Sequence, residues 1–215
     1  MFEPFFSDRV DAGKKFAAAL SSFKDNKDTL ILALPRGGII TGVEVAQELN
    51  LPFDIIIPRK IGAPHNPELA IGAIVEDEIL LNEELIQSMG VEKEYIDQTV
   101  EKEKREIARR KRVYRKERPP LQWDGKTILL IDDGVATGST IKAAILYLKK
   151  QPIKKLVVAI PVGPFETIAE LKKMTDDVIC LETPEMFMAV GQFYEKFTQT
   201  DDKTIIEIME KHHGN

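Results

Sequence analysis

Ile128-Leu129-Leu130-Ile131-Asp132-Asp133-Gly134-Val135-Ala136-Thr137-Gly138-Ser139-Thr140 is the stretch that decides how this chain is read. An apolar run ends in two adjacent carboxylates, a loop of small residues follows, and a helical pattern opens at Gly138. A loop of this kind turns successive backbone N–H groups inward as a nest for an anion. The start of the helix adds unpaired N–H groups and the positive end of its dipole. Thr137, Ser139 and Thr140 bring hydroxyl donors, and Gly134 and Gly138 let the main chain approach an anion closely. The pattern predicts a monophosphate cradle from Ala136 to Thr140, beside an acid pair suited to a polyhydroxylated sugar or a metal ion. A nucleotide P-loop has four residues between its glycines and then Lys. Here three residues separate Gly134 from Gly138, and Ser139 follows. A dinucleotide fingerprint has another glycine spacing again.

Outward from this stretch the chain alternates. Short apolar runs lie at Thr29–Leu34, Phe53–Pro58, Thr127–Ile131, Leu156–Ile160 and Val178–Leu181. Each is continuous, as a strand buried on both faces must be. Helical patterns cover Ile39–Leu49, Gly138–Lys150, Phe165–Met174 and Asp202–His212. Strand and helix in series predict an α/β fold, a parallel sheet of about five strands flanked by helices. Such sheets bind ligands at the carboxyl ends of their strands, where Asp132 and Asp133 stand.

Two segments break the alternation. Arg59–Leu69 contains Gly62, Pro64, Asn66 and Pro67 and reads as a loop, after which Ala70–Val75 and Glu78–Leu81 can pair as a hairpin. Val91–Arg118 reads as one long charged helix stopped by Pro119 and Pro120. Helical spacing offers ion pairs along it, Glu101 with Arg105 and Glu106 with Arg110. Its Arg109–Arg112 run reads either as a solvated helix face or as a patch for RNA or phosphate. Tyr114 and Arg115, near its end, are placed to reach a partner or a ligand.

The chain has 215 residues, a net charge of −5 and a single cysteine, Cys180. One cysteine allows no internal disulfide, and it reads as a small buried hydrophobe. The acidic balance argues against a general nucleic-acid or membrane-surface binder. No stretch reaches the roughly 20 apolar residues of a membrane helix. Glu3, Asp8 and Arg9 interrupt the start, so no secretion signal is expected and the expected location is the cytoplasm.

At Ile128–Thr140 the sequence resembles the type I phosphoribosyltransferases, whose signature is an apolar strand, two acidic residues and a Thr-Gly-x-Thr phosphate loop. The resemblance implies a donor, phosphoribosyl pyrophosphate (PRPP). Asp132 and Asp133 would hold its ribose hydroxyls, in part through Mg²⁺, and Ala136, Thr137, Gly138, Ser139 and Thr140 its 5′-phosphate. The family also carries a pyrophosphate loop after the first core strand. Leu34-Pro35-Arg36-Gly37-Gly38 stands in that place and resembles the Arg-Gly-Gly turn of xanthine–guanine phosphoribosyltransferases. This assigns Arg36, Gly37 and Gly38 to pyrophosphate and implies a non-proline cis peptide near Pro35–Gly37. In the family a mobile loop after the second strand closes over the reaction. Arg59 and Lys60 open that segment here and would neutralise the departing pyrophosphate, with His65, Asn66 and Glu68 on the same loop.

The family's acceptor is recognised by a variable hood. The resemblance places it at about residues 1–28 and 176–215 of a single domain spanning 1–215, with the long helix inserted at about 91–118. Pro184–Tyr194 faintly resembles the base-binding segment of hypoxanthine–guanine enzymes, where Phe187 would stack on the acceptor. An apolar core segment is the equal alternative. Two departures argue against a 6-oxopurine. Ala136 stands where those enzymes carry an Asp for proton transfer, and Pro161-Val162-Gly163-Pro164 stands where they carry a Lys. The implied activity is transfer of ribose 5-phosphate from PRPP to a nitrogen acceptor, with Mg²⁺ as cofactor and a homodimer as the family's habit. The alternatives are a PRPP-sensing regulator that binds nucleic acid through the basic helix, and a hydrolase of PRPP or a nucleotide. His212 and His213 fall in a polar C-terminal stretch and read as inert.

Overall fold

The computed structural model describes residues 4–116 and 118–212. Residues 1–3, 117 and 213–215, which include parts of the hood and long-helix ranges above as well as His213, lie outside the described residues. In chain order the elements are α1 (Arg9–Ala19), β1 (Thr29–Ala33), α2 (Gly37–Leu49), β2 (Phe53–Ile55), β3 (Pro58–Ala63), β4 (Asn66–Val75) and β5 (Glu78–Leu81). They continue with α3 (Glu83–Met89), α4 (Lys93–Arg115), β6 (Thr127–Ile131), α5 (Ser139–Leu148), β7 (Lys155–Val162), α6 (Phe165–Met174), β8 (Asp177–Glu182) and α7 (Asp202–His212).

Five strands form one sheet in the order β2-β1-β6-β7-β8, every pair parallel. This is the α/β fold predicted from the alternation. The continuous apolar runs are explained by what covers each face. Ile31, Ala33, Leu129, Ile131, Val157 and Ala159 pack into a cluster with residues of α1, α2, α4 and α7. Their neighbours Leu30, Leu32, Ile128, Leu130, Val158 and Ile160 pack on the other face with α5 and α6. A strand covered on both faces has no solvent side to carry polar residues. No helix among the described residues is long and apolar enough to cross a membrane.

The segment Arg59–Leu69 is not a loop. Residues 58–63 form β3, residues 64 and 65 make a turn, and β4 begins at Asn66. The β3-β4-β5 unit is a separate antiparallel sheet. Gly62 and Pro67, read as breakers, meet across the hairpin. A Cβ on Gly62 would lie 2.6 Å from the Pro67 carbonyl oxygen, and the register slips at Gly62. A bulge absorbs residues that a regular ladder rejects.

Helix α4 braces this hairpin. Tyr95 donates its hydroxyl to the Gly62 carbonyl at 3.0 Å, Arg59 pairs with Glu103 at 2.6 Å, and Lys111 pairs with Glu76 at 2.6 Å. At its C-terminal end Arg115 is buried against Asp54, which is fully enclosed. Arg115 donates to both Asp54 oxygens, at 3.0 and 3.3 Å, and to the Ile55 carbonyl at 2.5 Å. Removing either partner of such a pair strands a charge in the interior. Tyr114 is buried beside it. Its hydroxyl donates to Asp202 at 2.5 Å, and burial together with that bond pushes its pKa up to about 12. Tyr114 and Arg115 therefore fasten the long helix to the core instead of reaching outward. Of the two ion pairs predicted along α4, Glu106–Arg110 forms at 2.7 Å, and Glu101–Arg105 does not.

Candidate functional site

Strand β6 carries the acid pair to the carboxyl edge of the sheet. It is the central strand, held in register by β1 on one side and β7 on the other. The chain leaves it through Asp132 and Asp133 into the loop ahead of α5. Gly134 has φ 150° and Gly138 φ 75°, and Gly138 caps the helix in the left-handed region. The first turn of α5 thus leaves N–H groups without intrahelical acceptors, aimed where an anion would lie. The loop is tied from outside. Val135 donates its N–H to the Val162 carbonyl at 2.9 Å, and Thr167 of α6 donates its hydroxyl to the Ala136 carbonyl at 2.7 Å. Lys142 donates to the Thr137 carbonyl at 3.1 Å. The hydroxyls of Thr137 and Ser139 lie 3.1 Å apart, and Thr137 and Thr140 are exposed. Ala136–Thr140 therefore presents donors to solvent on a backbone fixed from behind.

The turn after β1 closes on the acid pair. A Cβ on Gly37 would lie 1.8 Å from Asp133 Oδ2, and one on Gly38 would lie 2.8 Å from the Asp132 Cα. No other residue type leaves room for these carboxylates. The Pro35–Arg36 peptide bond is cis, in the place the resemblance implied. Arg36 stands at the N-cap of α2 and leans toward Asp202 of α7, with 3.9 Å between charged atoms. The sequence thus brings Arg36-Gly37-Gly38 and Asp132-Asp133 into one site.

The two carboxylates differ. Asp132 Oδ1 accepts the Asp133 N–H at 2.9 Å. Burial, and then the neighbouring Asp133 charge, push Asp132 well above the usual carboxylate range. Asp133 Oδ2 accepts from Arg9 Nε at 2.6 Å. Among the described residues no N–H or hydroxyl donor reaches the other oxygen of either. Tyr194 donates its hydroxyl to the Asp133 carbonyl at 2.5 Å, and its own pKa is raised by burial and by the Asp133 charge. Among the described residues no third acidic, His or Cys side chain joins the pair as a metal-binding group. Two hard oxygen ligands suit Mg²⁺, which keeps waters and substrate phosphates in its shell. The pair fits that ion.

The remaining predicted residues are placed as follows. Arg59 and Lys60 sit side by side on β3, half-buried, with Arg59 drawn to Glu103. Phe187 packs on Phe193 with ring centroids 5.1 Å apart, in an apolar cluster with Phe6, Val162 and Tyr194. His65 lies at the hairpin turn, and His212 meets Gln47 at 2.8 Å, away from the acid pair. Cys180 is a half-buried thiol, and burial pushes it up to about 11.

Three contributors escape a reading of the sequence. Arg9 and Tyr194 hold Asp133 from the two ends of the chain. Asp202 gathers Arg36, Arg109 and Tyr114 onto the start of α7. None lies near Asp132 in sequence, so local spacing does not tie them to the acid pair.

Comparison with known proteins agrees with this geometry. The family model described as "Phosphoribosyl transferase domain" matches residues 8–198. Two curated relatives, from the CDC 1551 and H37Rv strains of Mycobacterium tuberculosis and provisionally named phosphoribosyl transferases, are each 38% identical over 209 residues. The match covers 97% of this chain and 47% of each relative, so the chain spans about half the length of these relatives. The crystal structure of TT1426 from Thermus thermophilus is 33% identical, with a TM-score of 0.84, over 97% of this chain and 99% of that one. With its acid pair, glycine turn and Ala136–Thr140 loop assembled on one sheet edge, the chain belongs to the phosphoribosyl transferase domain family.

Proposed function

We propose that this site binds PRPP and transfers its ribose 5-phosphate to a nitrogen acceptor, releasing pyrophosphate. One observation carries the reading. The Gly37–Gly38 turn lies directly against Asp132 and Asp133, and Pro35 of the same turn lines one cavity with Thr140. A sugar held by the carboxylates would therefore have one phosphate at the loop and its pyrophosphate at the turn.

The roles follow from position. Ala136–Thr140 holds the 5′-phosphate through main-chain N–H groups and hydroxyls. This contact is remote from C1, so its binding energy serves to orient the reacting centre. The carboxylates of Asp132 and Asp133 would hold the ribose hydroxyls and Mg²⁺. Bound Mg²⁺ would supply charge neutralisation for pyrophosphate and fix its orientation. As the bond from C1 to the pyrophosphate oxygen breaks, its electron pair leaves with pyrophosphate, and the acceptor nitrogen's lone pair forms the new C1–N bond. Positive charge grows on the ribose, where the two carboxylates favour it. Arg36 from the turn and Arg59 and Lys60 from β3 offer cations to the pyrophosphate. Arg59 would exchange Glu103 for that group. Ala136 leaves the loop without a general base, so the acceptor must arrive with a lone pair available or lose its proton to solvent.

The reading is tested by pyrophosphate release from PRPP and Mg²⁺ across a panel of nitrogen acceptors, wild type against Asp133→Asn. Release by the wild type and its loss in the variant is the expected result. Equal behaviour of the two proteins would refute the assignment.

A further inference from the structure

The turn after β1, the Ala136–Thr140 loop and strand β3 meet helix α4 across a cavity of about 570 Å³. Pro35, Thr140, Arg59 and Lys60 line it from the donor side. The facing wall is α4, through Thr99, Lys102, Glu103 and Arg110. These positions are three, four and seven apart, so one face of the helix forms the wall.

Four cations meet one carboxylate in this cavity, in a chain whose net charge is −5. That carboxylate, Glu103, is already paired with Arg59 at 2.6 Å. The two cations of α4 are not used up by the fold. Lys102 is exposed and makes no ion pair or hydrogen bond with a described residue. Arg110 has a side chain only 15% exposed and gives its Nε to Glu106 at 2.7 Å. A guanidinium has further N–H donors beyond Nε, and those of Arg110 have no acceptor among the described residues. Enclosed donors of this kind are satisfied by whatever fills the cavity they line. A separate cavity of about 320 Å³, between β4–β5 and α5, reaches Ser139 from another direction. It is lined chiefly by alanines and leucines, and its one cation, Lys142, is paired with Glu170. Among the described residues, an anion beside the loop therefore finds unspent cations on the α4 side.

We infer that α4 forms a wall of the leaving-group subsite, and that Lys102 and Arg110 bind the pyrophosphate of PRPP together with the turn and β3. The inference rests on the donor assignment proposed above, and it adds a helix that lies outside both the acid-pair stretch and the glycine turn. As the bond from C1 breaks, negative charge collects on the pyrophosphate oxygens, and cations fixed in the cavity wall favour it. Arg110 acts as a planar donor held in place by Glu106, and Lys102 as a point charge nearer solvent. A further cavity of about 430 Å³ adjoins the first at Arg59, Lys102 and Glu103 and continues past Arg105 and Arg109, so the subsite opens along α4.

Titration calorimetry with PRPP and, separately, with ribose 5-phosphate, each with Mg²⁺, tests the inference, because the ratio of the two affinities isolates the pyrophosphate. The variants are Lys102→Gln and Arg110→Gln, with Lys93→Gln at the exposed start of α4 as control. Arg109 keeps Glu106 paired when Arg110 is lost, so the helix stays anchored. The ratio is expected to fall about tenfold in Arg110→Gln, as loss of a charge-assisted bond does, and about threefold in Lys102→Gln, whose ammonium is more screened. Ribose 5-phosphate affinity is expected to stay at the wild-type value in both, a separation that a merely structural role does not produce. The control is expected to keep the wild-type ratio. An unchanged ratio in both variants would overturn the inference, and an unchanged ratio in one would remove that residue from the subsite. Equal loss of affinity for both ligands, or a fall of the ratio in the control, would also overturn it. A wild-type protein that binds PRPP no more tightly than ribose 5-phosphate would instead remove the donor assignment itself.

Discussion

Arg9 and Asp133, 124 positions apart, are joined by a 2.6 Å bond from the guanidinium Nε to the carboxylate. Arg9 also donates to the Thr198 carbonyl at 2.9 Å and lies over the Phe197 ring, 3.8 Å from its centre. One side chain from α1 thus ties the acid pair to the segment before α7. The flat guanidinium serves carboxylate, carbonyl and ring together, which an ammonium does not. Arg9 is 9% exposed. Arg9→Gln is expected to cost about 3 kcal/mol, because Asp133 keeps a largely buried charge without its partner. Urea unfolding reads this as a lower midpoint at unchanged slope. An unchanged midpoint would contradict the role given to Arg9.

Gly37→Ala tests the contact between the turn and the acid pair. The new methyl would meet Asp133 Oδ2 at 1.8 Å, so the carboxylate must move. PRPP affinity is expected to fall by at least about tenfold, since a displaced carboxylate forfeits a charge-assisted contact. The circular dichroism spectrum should stay that of the wild type. Wild-type affinity would show that the turn and the acid pair act independently.

Asp132 makes stability depend on pH in a defined direction. Its raised pKa means that the native state keeps a proton after the unfolded chain has lost it. Stability therefore falls as pH rises from the ordinary carboxylate pKa of about 4 through the raised value. Asp132→Asn removes this cost. The variant is expected to melt at a higher temperature than wild type at pH 7, with the gap closing toward about pH 4, and to lose binding of PRPP with Mg²⁺. A variant less stable at pH 7 would contradict the account.

The junction of α4 and α7 should weaken in strong acid. The hydrogen bond from Arg109, partly offset by burial, holds Glu106 down at about 2. Asp202 is lowered as well, first by its bond from Tyr114. Groups depressed in this way contribute stability above their unfolded pKa and lose it as pH falls through the folded value. Glu106→Gln should flatten the decline in melting temperature between about pH 4 and 2. A decline as steep as that of the wild type would remove Glu106 from this role.

The parallel sheet was legible because its inner strands β1, β6 and β7 are buried on both faces. Runs such as Thr127–Ile131 carry no polar alternation and stand out from their surroundings. The helix bounds at Phe165–Met174 and Asp202–His212 agree with the sequence reading to the residue. The turn from β6 into α5 was legible for a similar reason, since its glycines and the start of the helix are local signals. Where the reading went astray, long-range contacts decided. Gly62 and Pro67 are breakers on their own and cross-strand neighbours in the fold. Helix α3 was missed because its signals, the Asn82 cap and Gly90 at its end, bracket only seven residues. Arg9, Tyr194 and Asp202 reach the site from distant elements, so no spacing in the sequence betrays them. The long helix looked like a solvated or nucleic-acid-facing stretch, yet Arg109, Arg110, Lys111 and Arg115 are all bonded to carboxylates within the fold.

The central claim is that the acid pair, glycine turn and phosphate loop form one PRPP site. The most direct test is calorimetric titration of PRPP with Mg²⁺ into the wild-type protein, with ribose 5-phosphate as the comparison. The account predicts that both bind, that PRPP binds more tightly through the turn and the metal, and that Asp133→Asn abolishes the difference. Failure of PRPP to bind folded protein, or affinity no greater than that of ribose 5-phosphate, would contradict it.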